Sequence, residues 1–320
     1  MKIVYLDRNT IGTDVDTSIF AKYGDYEEHD SCPACESKEY IRDADVIIFN
    51  KTVMNEELLK NAPDVKLLCV TATGYDNIDV EYCKKRNIAV CNVKGYSTPA
   101  VVQHTFALAL YVLEKISYYD GYVKSGAYSK ASGFSNFDER YFELEGKVWG
   151  IIGMGNIGRG VAGVAEAFGC RVIYYSPSGV DRSERYERVD LETLLRSSDV
   201  VSIHCPLTEK TRGLMNKDAF KMMKKSAILI NVARGPIVDE QALYDALTTD
   251  MIAGAGLDVL TKEPMSMDNP LGNIKDSKKL IITPHMAWAS VEARNRCAQE
   301  ICKNIESFLS GGERNRVDLM

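Results

Sequence analysis

Gly150-Ile151-Ile152-Gly153-Met154-Gly155-Asn156-Ile157-Gly158 is the stretch that decides the fold. An apolar run at residues 148–152 enters a glycine turn, and an apolar-periodic helix pattern at residues 157–168 leaves it. That order suits a dinucleotide pyrophosphate. Gly153 permits the tight turn, Gly155 lets the backbone approach the phosphates, and Gly158 lets the helix pack close to the strand. The helix start adds unpaired N–H groups and a positive dipole end for the anion. A bare GxGxxG arises easily by chance. Here a second strand pattern at residues 171–175 completes a βαβ unit, and that context gives the motif its meaning.

Outward from this turn the chain alternates strand and helix. Downstream, strand patterns fall at residues 148–153, 171–176, 200–205, 227–232, 254–259 and 280–283, with helices at 157–168, 191–197, 217–223 and 240–248. Upstream, strand patterns fall at residues 2–7, 46–50, 67–71 and 89–92, with helices at 55–61 and 80–86. A long apolar helix spans residues 99–116, with Pro99 in its opening turn. Residues 117–145 are polar and aromatic without a clear period, and read as an arm that packs on another subunit or domain. A last helix covers residues 291–309. Such alternation predicts α/β architecture with two doubly wound parallel-sheet domains. A Rossmann cofactor domain at residues 99–286 is inserted into a flavodoxin-like domain formed by residues 1–98 and 287–320. The helix and arm at 99–145 are a candidate surface for packing on another subunit or domain.

Composition narrows the function classes. A chain of 320 residues, 45% apolar and 26% charged, has the make-up of a globular protein with a large core. Its net charge of −6 argues against nucleic acid or an anionic membrane as partner. No apolar run reaches the ~18 residues of a membrane span. The start, Met1-Lys2-Ile3-Val4-Tyr5-Leu6-Asp7, reads as a strand rather than a signal peptide. Nine scattered cysteines fit reduced thiols and a cytoplasmic setting better than a disulfide framework. Cys32-Pro33-Ala34-Cys35 is a CxxC without a second pair or a suitably spaced histidine pair, so it reads as a surface loop and no metal site is expected.

Four histidines can be weighed singly. His29 lies in a polar loop and reads as solvated. His104 sits in the long apolar helix and reads as a satisfied core histidine. His204 ends a strand before Cys205-Pro206, where nucleotides bind, and reads as a wall of the cofactor site. His285 follows Leu280-Ile281-Ile282-Thr283-Pro284 at another strand's carboxyl end, where ligands gather in open α/β sheets. Two further strand exits carry charge: Arg234 after Ile228–Ala233, and Glu263 after Gly254–Val259. Each alone could be a solvated boundary residue. Together they can form one constellation. Arg offers a planar fork for a carboxylate and a carbonyl oxygen. Glu beside His orients the ring and stabilises imidazolium. Imidazolium can protonate a ketone oxygen.

At this point the sequence resembles the D-isomer-specific 2-hydroxyacid dehydrogenase family. The motifs that carry the resemblance span nearly the whole chain. They are Val70-Thr71-Ala72-Thr73-Gly74-Tyr75-Asp76-Asn77-Ile78-Asp79, the glycine turn, Asn231-Val232-Ala233-Arg234-Gly235-Pro236-Ile237-Val238-Asp239-Glu240, Gly256-Leu257-Asp258-Val259 before Glu263-Pro264, and Thr283-Pro284-His285-Met286-Ala287-Trp288. Ala72-Thr73-Gly74, Gly95-Tyr96-Ser97-Thr98 and Gln103-His104-Thr105-Phe106-Ala107-Leu108 are similar to the glycerate dehydrogenase, or hydroxypyruvate reductase, branch.

The resemblance implies roles. Arg234 would bind the substrate carboxylate and polarise the keto group. His285 would donate the proton in reduction and accept it in oxidation, with Glu263 as its partner. Thr73, Gly74 and Tyr75 would help hold the carboxylate through backbone N–H groups, and Trp288 would wall the substrate pocket. Gly153, Gly155, Asn156, Ile157 and Gly158 would cradle the pyrophosphate. His204, Cys205, Pro206 and Thr211 would line the nucleotide. Val232, Ala233 and Asp258 would sit near the nicotinamide, with Asp258 accepting from its carboxamide. One departure concerns the cofactor. Ser176 stands at the end of the second cofactor strand, where NAD-preferring relatives carry an acidic residue that bonds the ribose and repels a 2′-phosphate. Arg182 and Arg185 follow, as possible partners of a phosphate or as solvated loop residues. NAD and NADP both stay open. The expected activity is reversible hydride transfer between NAD(P) and a small 2-keto or 2-hydroxy acid, with hydroxypyruvate and D-glycerate foremost and glyoxylate possible. A D-lactate or aryl-lactate dehydrogenase, and a dinucleotide-sensing corepressor-like binding protein, are the alternatives. A homodimer is the expected assembly.

Overall fold

The computed structural model describes residues 1–31 and 36–320. The Cys32–Cys35 motif lies outside the described residues. The chain divides into two compact units, residues 1–97 with 288–320, and residues 98–287.

The first unit is built on β1 (Lys2–Tyr5), β2 (Asp25–Glu28), β3 (Val46–Phe49), β4 (Leu67–Val70) and β5 (Ala89–Cys91), with short helices α1 (Ser37–Tyr40), α2 (Glu56–Leu59) and α3 (Val80–Lys85). All pairings are parallel, in the order β2-β1-β3-β4-β5. Every residue of β3 and β4 is buried, as expected when helices cover both faces of a parallel sheet. Two local signals set the helix starts. The Asn55 side chain accepts from the Leu58 N–H, and Asp79 from the Tyr82 N–H.

The second unit opens with α4 (Thr98–Leu113) and α5 (Ile116–Lys124). It continues through β6 (Val148–Ile152), α6 (Asn156–Ala167), β7 (Arg171–Tyr175), β8 (Glu187–Arg188), α7 (Leu191–Ser197), β9 (Val200–Ile203), α8 (Lys217–Met222), β10 (Ile228–Asn231), α9 (Glu240–Thr248), β11 (Gly254–Leu257) and β12 (Leu280–Ile282). The sheet is parallel throughout, in the order β12-β11-β10-β9-β6-β7-β8. Successive residues face opposite sides. Ile228 and Ile230 join Phe106, Leu108, Val161 and Ala165 of α4 and α6 in one core. Leu229, between them, joins Leu194, Phe220, Leu243 and Leu247 of α7, α8 and α9 in the other. Trp149, fully buried on the α4 side, donates from its indole N–H to Ser202 Oγ at 2.8 Å. After this unit α10 (Val291–Leu309), capped by Ser290, rejoins the first unit against β4. Among the described residues no helix is long and apolar enough to cross a membrane.

Several elements depart from the sequence reading. The polar strand β2 and the two-residue β8 are sheet edges with no apolar run, so no pattern announced them. Within the stretch read as having no period, α5 forms with no buried residue. His29, expected in solvent, stacks on Tyr40 with ring centroids 3.6 Å apart, and its Nε2 lies 2.9 Å from a Glu27 carboxylate oxygen.

Candidate active site

The topological switch of the larger sheet lies between β6 and β9, where strand order reverses and ligands bind beyond the carboxyl ends. There β6 runs into Gly153 with φ +99°, a left-handed conformation that favours glycine. Its N–H donates to the Tyr175 carbonyl at 2.9 Å. A Cβ here would sit 2.6 Å from the Cys205 nitrogen, so the end of β9 passes directly against the turn. At Gly158 a Cβ would run into the Gly153 carbonyl, and helix α6 therefore starts close on the strand. Gly155, the N-cap, faces open space: nothing lies within 4 Å of where its Cβ would stand. An open glycine face over the first turn of a 12-residue helix fits a dinucleotide pyrophosphate, with Asn156 and Ile157 supplying first-turn amides. The Asn156 side chain is held aside, accepting from Arg159 at 2.6 Å.

Around this turn the nucleotide residues divide into structural and open groups. The Thr211 hydroxyl, buried, donates to the Pro206 carbonyl at 2.8 Å and accepts from the Thr208 N–H at 2.7 Å, which fixes the 206–211 turn. Burial pushes the Cys205 thiol up to about 12, leaving it a small apolar wall. His204 donates its backbone N–H to Ile152, while both ring nitrogens are buried without a protein partner among the described residues. Burial pulls its pKa down to about 3, so the ring is neutral.

At the carboxyl end of β7 a cavity of about 410 Å³ is lined by Ser176, Ser178, Arg188 and Lys210, among others. Ser176 and Ser178 place their hydroxyl oxygens 3.2 Å apart. Of the arginines considered from sequence, Arg185 is paired with Glu166, and neither it nor Arg182 lines this cavity. Its cations are Arg188, three residues past Arg185, and Lys210, 35 residues beyond the strand end; both escaped sequence reasoning.

Three consecutive strands of the same sheet, β10, β11 and β12, deliver Arg234, Glu263 and His285. The rows of this sheet are spaced about 4.8 Å apart, so β10 and β12 lie roughly 10 Å apart. Buried Asn231 shapes the first exit: its side chain accepts from the Ala233 N–H and donates to the Arg234 carbonyl, both at 3.0 Å. Arg234, half-buried, donates to the Ala233 carbonyl at 2.8 Å. His285 is left-handed at φ +53°, an unusual state for a non-glycine residue. Two backbone bonds from its N–H hold it there, to Asp258 at 2.8 Å and Thr283 at 3.0 Å. Its Nδ1 stands 2.6 Å from Glu263 Oε2, and the other Glu263 oxygen accepts from the Leu260 N–H at 2.9 Å. A carboxylate only accepts, so Nδ1 carries the hydrogen shared between the two groups. Asp258 is 1% exposed, and its carboxylate accepts from Thr283, Met286 and Ala287. Val232 and Ala233 are half-buried beside them.

The substrate residues expected in the first unit follow β4. Thr73 donates to the Val93 carbonyl at 2.8 Å and accepts on its own carbonyl from Asn92, which braces the loop through Gly74 and Tyr75. Trp288 meets Tyr96 edge-on, with centroids 6.3 Å apart. No cluster of three metal-ligating side chains occurs among the described residues.

Residues 106–287 match the model of the D-isomer specific 2-hydroxyacid dehydrogenase NAD binding domain. Over 318 residues the chain is 38% identical to the glycerate dehydrogenase of Methylorubrum extorquens, covering 99% of each. It is 36% identical to the hydroxypyruvate reductase of Blautia hydrogenotrophica, covering 99% of this chain and 100% of that one. An acyclic imino acid reductase solved in complex with NADPH and D-Arg superposes with a TM-score of 0.87 at 33% identity, covering 99% of both chains.

Neutral, buried His204 makes a pH prediction. The unfolded chain protonates this histidine near its ordinary value of 6.5 and the folded chain only near 3. Between those values the unfolded state binds more protons, so its contribution to stability is lost as pH falls, by at most about 1.4 kcal/mol per pH unit. His204→Leu should therefore flatten the decline of unfolding free energy between pH 7 and pH 5. Denaturant titrations with parallel slopes for variant and wild type would reject a buried neutral ring.

Proposed function

The chain belongs to the D-isomer specific 2-hydroxyacid dehydrogenase family, a family of nicotinamide-dependent oxidoreductases, and from this we propose that it reduces hydroxypyruvate to D-glycerate. The observation that carries the chemistry is the 2.6 Å bond between His285 Nδ1 and Glu263, with Arg234 two strands away on the same edge. When bound, the nicotinamide supplies hydride to the keto carbon. Arg234 holds the substrate carboxylate in its planar fork and draws charge onto the keto oxygen. Glu263 keeps the imidazole aimed, and Nε2 gives its proton to that oxygen as the C=O double bond becomes C–OH. Oxidation runs the same proton back to Nε2. Thr73, Gly74 and Tyr75 add backbone donors for the carboxylate, and Trp288, set against Tyr96, adds an apolar wall. The two relatives' names support the choice of a three-carbon hydroxy keto acid.

For the cofactor, the reading is NADPH in preference to NADH. Ser176 puts no negative charge at the strand end itself, and the cavity beside it carries two hydroxyls with Arg188 and Lys210 against one carboxylate, Asp190, which caps α7. That set complements a 2′-phosphate. For the assembly, the reading is a homodimer joined through the arm after α5. Phe134, Phe137, Tyr141 and Phe142 are 57–90% exposed there, an apolar surface suited to a second copy.

Variant kinetics, a substrate panel, cofactor preference and sedimentation test these readings. His285→Gln should lower kcat on hydroxypyruvate by about a thousandfold while cofactor affinity holds. Arg234→Ala should lower kcat/KM by on the order of a hundredfold. Normal turnover in either variant removes that residue from the mechanism, and a panel of 2-keto acids showing no activity on hydroxypyruvate rejects the substrate. Ser176→Asp should cut kcat/KM for NADPH by about tenfold or more and spare NADH, since like charges then meet. An unchanged ratio of the two cofactors overturns the phosphate site. Sedimentation should give a dimer that Phe134→Ser/Phe137→Ser converts to monomer, and a monomeric wild type ends the dimer reading.

A further inference from the structure

We propose that His104, on α4, is a positioning residue for the proton-transfer histidine, acting through Thr283 and the buried carboxylate of Asp258; this rests on reading His285 as the proton donor. His104 Nε2 lies 2.9 Å from Thr283 Oγ1, and Thr283 Oγ1 lies 2.6 Å from Asp258 Oδ1. A hydroxyl has one hydrogen. A 2.6 Å approach to a carboxylate oxygen requires that hydrogen to point at Asp258, because two bare oxygens so close would repel. Thr283 is therefore the acceptor toward His104, and His104 Nε2 carries a hydrogen. The direction runs from imidazole to hydroxyl to carboxylate, with His104 Nε2 also 3.5 Å from Asp258 Oδ1 itself, too far for a second bond of comparable strength.

Asp258 passes this order on to the catalytic loop. Its Oδ1 also accepts from the Met286 N–H and its Oδ2 from the Ala287 N–H, each at 2.8 Å, while its backbone carbonyl accepts from His285. The two residues after His285 are thus fastened by one side chain, and His285 itself by that residue's backbone. The left-handed backbone at His285 depends on those fastenings, since a non-glycine residue does not hold φ +53° unaided. Glu263 grips the ring, and the Asp258 group grips the peptide beneath it. His104 closes the network from the helix that covers this face of β11 and β12. Without its donor the Thr283 hydroxyl loses the partner that holds its rotamer. It can then turn toward the Leu257 carbonyl 3.4 Å away, and Oδ1 loses its shortest bond.

His104→Leu keeps an apolar side chain on α4 and removes the donor. It should slow kcat by about tenfold, with cofactor KM within about twofold, because a loosened loop misplaces the proton donor without touching the nucleotide. In the same full-length protein the Met286 and Ala287 amides should exchange with deuterium about tenfold faster, while amides of β6 stay protected. His104→Gln, whose amide can donate to Thr283, should recover part of both losses. A residue that merely filled space would change the melting temperature and leave kcat per folded site and the two amides alone. Thr283→Val, nearly isosteric and without the hydroxyl, serves if the leucine variant does not fold, and should show the same two effects. Wild-type exchange at Met286 and Ala287 in the leucine or valine variant overturns the proposal, as does a glutamine variant no better than leucine. If instead His285→Gln turns over normally while these amides still respond, the network stands and the proton-donor reading falls.

Discussion

A carboxylate sealed from water must find its hydrogen-bond donors inside the protein, and Asp258 is such a group at 1% exposure. Leaving a buried charge unsatisfied costs several kcal/mol, which is comparable with the stability of a whole domain. The chain beyond β12 therefore has little freedom. Two amides and a hydroxyl must turn back onto Asp258, and the turn that brings them there is the one that holds His285 in a left-handed conformation. That conformation costs about 1–3 kcal/mol for a residue with a Cβ. A satisfied buried carboxylate outweighs it, so the strained backbone and the orientation of the imidazole have one cause.

The same sheet supplies the other constraint, through contact rather than charge. Parallel strands buried on both faces are mostly apolar, and every residue of β9, β10 and β11 is buried, with the two polar side chains, Ser202 and Asn231, each hydrogen-bonded. Charged and titratable groups are kept out of their interiors and appear just past their carboxyl ends: His204 and Asp258 directly after β9 and β11, and Arg234 three residues after β10. Gly153 and Gly158 add the demand that the turn, the helix and the next strand end meet without side chains between them. The candidate site is where these rules coincide.

This explains what could be read from the sequence. Continuous apolar runs gave away the buried strands, and the glycine spacing gave away the turn; Arg234, Glu263 and His285 stood out as charged residues after such runs. Elements at the edges were silent. In β2, Asp25, Glu27 and Glu28 present no apolar face, and α5 buries none of its residues. Contacts between residues distant in sequence were silent too. Nothing local to His104 signals Thr283, 179 positions on, and nothing near Ser176 signals Lys210. Asp258 was legible as a residue after a strand, but its carboxylate reads as a ligand group until its three internal donors are seen.

His204 and His285 show how far environment outranks residue type. Both follow buried strands of one sheet, and both begin as imidazoles able to change charge near neutral pH. His204 has its ring nitrogens shut away with no carboxylate among its partners, and burial alone drives it to the neutral form. His285 keeps part of its ring open and sets Nδ1 against Glu263. The adjacent carboxylate fixes both the tautomer and the direction of the ring, with the hydrogen on Nδ1. Without Glu263 the half-open His285 ring would lose the bond that sets its direction. The orientation of the His285 ring thus follows from one carboxylate three residues past Leu260, held by the Leu260 N–H that donates to its second oxygen.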